Sequence, residues 1–65
     1  MEVLLVFICR RGTMRYDGAL LVAAPCREDA RQIFREREGE EPMEIEDLYD
    51  VTAYGQPRIL YDERR

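Results

Sequence analysis

The stretch ALLVAAPCREDARQIFRERE, residues 19–38, decides the fold. Residues 19–24 form a short continuous apolar run, and periodicity alone does not separate strand from helix in such a run. Pro25 separates them. A residue before proline is pushed out of the helical region, so Ala24 is extended. Pro25 itself suits the start of a helix, where its missing N–H costs nothing. Ala30, Ile33 and Phe34 then recur at helical spacing, with Arg27, Glu28, Arg31, Arg35 and Glu38 on the other face. Cys26 takes the N-cap position, and Glu28 and Asp29 suit the positive end of the helix dipole. Gly39 is a natural residue to end the helix, and Pro42 prevents a restart.

Working outward, residues 2–10 read as a first strand. Val3, Leu5 and Phe7 lie on one face, and Leu4, Val6 and Ile8 on the other. Apolar residues on both faces mark a strand buried on both sides. Residues 10–15 form a polar hairpin loop, and the second strand covers residues 16–24. Residues 40–42 link the helix to a third strand that opens with the alternation Met43-Glu44-Ile45-Glu46 and continues past a bulge through Leu48 to Val51. Residues 55–57 turn, and residues 58–61 form a last edge strand. The sequence thus predicts one α+β domain over residues 1–65, an antiparallel sheet of about four strands in ββαββ order. One helix packs on one face through Ala30, Ile33 and Phe34. That helix covers a single face, so the second apolar face needs another cover. We weigh a second copy of the chain, a different partner, or the loop at residues 52–57 folding over. A homodimer is expected, because oligomerisation commonly supports cores this small.

The residue inventory narrows the chemistry. The 65 residues include no His, Lys, Ser, Asn or Trp. That excludes Ser–His–Asp and Cys–His catalysis, lysine Schiff bases and a P-loop. No enzyme activity, cofactor or metal centre is expected. Cys9 and Cys26 are the only cysteines. In the expected hairpin they lie about 20 Å apart, too far for a disulfide, which favours a reducing cytoplasm. The opening apolar run, Val3 to Ile8, is too short for a membrane span of about 20 residues. Glu2 stands where a signal peptide carries basic charge, so no membrane or secretion signal is expected.

Charge is uneven along the chain. Residues 36–50 hold Glu36, Glu38, Glu40, Glu41, Glu44, Glu46, Asp47 and Asp50 against Arg37, a net of −7 within a total of −4. Three readings of this acidic band compete. It is a solvated face, a docking surface for an Arg/Lys-rich partner, or a divalent-cation site of Glu44, Glu46, Asp47 and Asp50. The last lacks the spacing of an EF-hand. Arg10, Arg11 and Arg15 gather at the hairpin tip, where a solvated loop competes with phosphate contact. Direct nucleic-acid binding fits poorly, because such domains are normally basic and this chain has a pI near 4.7. Cys26 reads as a small, half-buried cap with no base beside it, and Cys9 reads as core. Tyr49, Tyr54 and Tyr61 read as core-edge residues rather than a stacking platform.

The segment VAAPCREDAR, residues 22–31, resembles many small phage- and prophage-encoded proteins of ββαββ layout, including small anti-CRISPR inhibitors. The chain departs from them in placing Cys where a Ser or Asp cap is usual. The resemblance implies a non-enzymatic inhibitor acting through protein–protein contact, and it carries over no site residue. With the charge pattern, it gives a specific expectation. The eight acids dock on a basic surface of a host protein that handles nucleic acid. The alternative is a small structural or accessory subunit that works through its apolar sheet face.

Overall fold

A computed structural model describes residues 3–12 and 18–63. Strand β1 is Val3–Arg10, β2 is Ala19–Ala24, helix α1 is Arg27–Glu38, β3 is Glu44–Tyr54 and β4 is Arg58–Glu63. The four strands form one antiparallel sheet in the order β3-β1-β2-β4, with α1 packed on it. The expected ββαββ fold is therefore the observed one. Glu2, Tyr16 and Asp17 of the expected strands lie outside the described residues.

The strand–proline–helix junction forms for the reasons its residues suggest. Cys26 is extended (φ −154°, ψ 170°), and its carbonyl accepts the first helical bond from the Ala30 N–H at 3.1 Å. Its side chain makes no capping bond. Gly39 closes the helix in the left-handed region, φ 77°, with its N–H donating to the Arg35 carbonyl at 2.8 Å. Ala30 and Phe34 are buried, and Ile33 packs beside them.

Register sorts the side chains by face. Leu5, Phe7 and Cys9 on β1 oppose Ala24, Val22 and Leu20 on β2. Phe7, Cys9, Leu20, Val22 and Ala24 form the core under Phe34 and Ala30, with Ile45 and Ile59 at its margins. β3 pairs regularly with β1 from Glu44 to Leu48. Three residues, 49–51, are then skipped before Thr52 meets Leu5. The strand is interrupted as expected, but at residues 49–51, after Leu48 rather than before it.

The second face is closed more fully than the sequence implied. Leu4, Val6 and Ala23 point away from the helix, yet each is at most 1 % exposed. Their cover belongs to the same chain. The connection at residues 55–57 joins strands on opposite edges of the sheet. Tyr54 lies level with Val3, whereas Arg58 lies level with Val6 through Ala23. In a flat sheet that offset of about 10 Å, with three interstrand spacings of about 14 Å, exceeds the roughly 15 Å of four Cα steps, so the sheet curls to let the connection close. Arg58 pins it, donating from Nη1 to the carbonyls of Tyr54 (3.1 Å) and Gln56 (2.9 Å).

What stays uncovered is a different surface. Val3 and Leu5 share the helix side of β1 but lie beyond the helix, at 58 % and 50 % exposure. Tyr54, paired with Val3, is exposed beside them, and Tyr49 and Val51 are exposed within the skipped residues 49–51.

Candidate functional site

The eight acids read from the sequence do not share one surface. Glu36, Glu40 and Glu41 surround the C-terminal end of α1. With Gln32, Arg35 and Gly39 they line a shallow, open depression of about 360 Å³. Glu44 and Glu46 alternate on β3 on the face away from the helix, because they oppose Arg10 and Ile8. Asp47 opposes Phe7 on the helix side, and Asp50 lies in the bulge. Glu38 turns inward, with its side chain 13 % exposed.

Five arginines from outside residues 36–50 come to meet this charge. Arg10 bridges Glu44 at 3.6 Å and Glu46 at 3.0 Å. Arg27 contacts Asp47 at 3.4 Å and donates to the Ile45 carbonyl at 2.7 Å. Arg31 and Arg35 both reach Glu41, at 3.7 and 3.0 Å. Arg11 takes Glu38. Local charge in space is thus far less negative than the −7 counted along the segment. Glu36 accepts a bond from Gln32 at 3.2 Å. Most of these groups are exposed; the Glu41, Glu44 and Glu46 side chains are 60 %, 60 % and 51 % accessible.

Arg11 corrects the reading of the hairpin tip. It is 7 % exposed, not solvated. Its Nε and Nη2 grip both Glu38 oxygens at 3.0 Å. Nη2 also donates to Asp62 at 2.7 Å, and Nη1 to the Glu63 carbonyl at 2.8 Å. Arg37 holds the other Asp62 oxygen at 2.8 Å. These bonds hold the guanidinium charged, chiefly through the Glu38 hydrogen bonds against the opposing effect of burial, and push its pKa further up. One side chain thereby ties the end of β1 to the end of α1 and the end of β4. Gly18 sits against the same cluster at φ +89°, where a Cβ would collide with the Glu63 carbonyl. Arg15 lies outside the described residues. A lone arginine in a polar loop carries no sequence signal of burial. Asp62 gives none either, because it stands in the charged run that ends the chain's last strand.

The two cysteines differ. Cys9 is fully buried, and its desolvation pushes the thiol up to about 11, with Arg27 pulling weakly the other way. Cys26 is exposed, where the sequence suggested a half-buried cap. Both are free thiols. Among the described residues no group of three or more Cys, Asp or Glu is placed to hold a metal ion, and the proposed set of Glu44, Glu46, Asp47 and Asp50 is split between faces. Among the same residues no helix is long and apolar enough to cross a membrane. Tyr49, Tyr54 and Tyr61 are exposed at 87 %, 55 % and 63 %, so they are surface residues rather than core-edge ones.

No family model, curated protein or solved structure matches this chain.

Proposed function

We propose that the protein is a non-enzymatic protein-binding module. In this reading it docks its acidic corner on a basic surface of nucleic-acid-handling machinery and so excludes nucleic acid from it. One observation carries the reading. Glu36, Glu40 and Glu41 stand exposed around the end of α1, and Glu44 and Glu46 stand exposed at the start of β3 on the other face of the sheet, so the corner wraps the β3 edge. Their arginine partners are largely exposed too, as with Arg10 at 43 % and Arg35 at 51 %. Exposed ion pairs contribute only about 0–1 kcal/mol. Exchanging an internal arginine for a partner's therefore costs little. Glu38 is excluded from the contact, because it holds Arg11, and Asp47 and Asp50 lie off the corner. The absence of His, Lys and Ser supports a non-catalytic role. An inhibitor of phage or mobile-element type, working in a reducing cytoplasm, is the form that the strand–cap–helix resemblance and the two free thiols favour.

The test is capture of partners from host lysate with the native protein and with a Glu44→Arg/Glu46→Arg variant. Binding through the corner should weaken steeply from low to physiological ionic strength as the charges are screened. The variant should lose the partner. The same partners on both proteins would refute the mechanism.

A second reading rests on the other end of the molecule. The exposed Val3, Leu5 and Tyr54 form an apolar end that suits an accessory subunit or a homodimer. Binding there should hardly respond to salt, and sedimentation at micromolar concentration reports self-association directly.

A further inference from the structure

The acidic corner lies on an edge strand. Among the described residues β3 pairs with β1 alone and is outermost in the sheet. Such an edge offers backbone groups to any extended segment that can pair with it. Resting on the reading of the acidic corner above, we propose that the partner enters as an added strand. It is an extended segment with Arg or Lys at alternating positions, laid along β3 from Glu44 to Leu48.

Three features define this occupant. The first is length. Pairing is regular from Glu44 to Leu48 and breaks at residues 49–51, so the usable edge is short. The second is charge at strand spacing. Glu44 and Glu46 share one face, and the fold already answers them on the inner side with Arg10 of β1, at 3.6 and 3.0 Å. A basic residue on an added strand would meet the same two carboxylates from the outer side. The third is Ile45, whose carbonyl takes the Arg27 guanidinium at 2.7 Å, while the same side chain reaches Asp47 at 3.4 Å. An added strand must therefore displace Arg27 from this carbonyl and supply a donor of its own in its place.

A second copy of the chain does not suit this edge. Every antiparallel pairing of β3 with itself centred on residues 45–47 sets one of Glu44, Glu46 and Asp47 opposite another. Like charges directly opposite are destabilising. A basic strand turns the same positions into attractive pairs.

The experiment uses two synthetic fluorescent peptides. One alternates Arg and Val. The other is identical but N-methylated on the amides of both edges, which keeps its charge and removes its ability to pair. Binding is read by anisotropy at low salt against the native protein and a Glu44→Gln/Glu46→Gln variant, each first shown folded by circular dichroism. The expected result is binding of the unmethylated peptide to the native protein only, with methylation and charge removal each weakening it by about tenfold or more. Equal binding of both peptides, lost in the variant, overturns strand addition but leaves the acidic corner standing. Binding unchanged in the variant overturns both. No binding of either peptide overturns strand addition, and the corner is then judged by the capture experiment.

Discussion

Phe7 and Leu5 sit on the same strand and the same face, two residues apart, yet their surroundings differ. Phe7 is 2 % exposed and Leu5 50 %. The helix makes the difference. At twelve residues α1 is about 18 Å long, whereas β1, with eight, runs about 26 Å. One end of the sheet is roofed and closed by the Arg11 cluster. The other shows Val3, Leu5 and Tyr54 to solvent. Stability is concentrated at the roofed end, so the open end can change without unfolding the chain.

The strongest way to break this contrast is at Phe34, the largest helix side chain in the core. Phe34→Ala should lose about 3–5 kcal/mol, enough to unfold most of so small a domain. Urea denaturation followed by circular dichroism measures it, and a loss under 1 kcal/mol would mean that the roof is not what holds the fold.

Arg11→Ala comes next. Removing one partner of a buried ion pair is costly; here it takes the guanidinium from Glu38 and from one oxygen of Asp62, whose other oxygen stays with Arg37, and the expected loss is about 3 kcal/mol. Arg10→Ala, one residue earlier but 43 % exposed at its side chain, should cost about 0–1 kcal/mol. Equal losses at the two arginines would erase the distinction between them.

Much of this was legible in the sequence. Pro25 and Gly39 bracket the helix, and alternation at Met43 to Glu46 announces β3, because these signals act between near neighbours. Arg11 was not legible. Its carboxylate partners lie 27 and 51 positions away, and a hairpin arginine ordinarily points to water. The same holds for the back of the sheet. Leu4 and Val6 advertise burial, but whether the cover is internal depends on β3 and β4 taking opposite edges, which no local pattern encodes. For the acids, the alternation was visible, while the arginines that meet them come from other strands and the helix.

Cys9 sharpens the contrast through pH. Its folded pKa, about 11, lies above the ordinary thiol value of 9.0, so the unfolded chain loses its proton first. The stabilising contribution is complete below pH 9 and disappears as pH rises toward 11, a loss of about 2–3 kcal/mol in the limit. Cys9→Ala should lack this component of the pH profile, whatever its baseline stability. At neutral pH a maleimide should label Cys26 alone in the folded protein and both thiols in denaturant.

The smallest effect is expected at the open end. Leu5→Thr should shift stability by about 0.5 kcal/mol or less. A loss comparable to that of Phe34→Ala would show that this end is structural after all.

The Arg11 cluster also sets an order in time. The guanidinium belongs to the residue that follows the first strand made, yet two of its three anchoring residues, Asp62 and Glu63, belong to the last. A growing chain that has made the hairpin and the helix can offer Arg11 only Glu38. Until β4 arrives, that corner keeps its water, and the helix end stays untethered from the sheet. Completion of the fold is therefore coupled to completion of the fourth strand, and a chain cut before residue 62 loses the clamp at its first turn as well as its last strand.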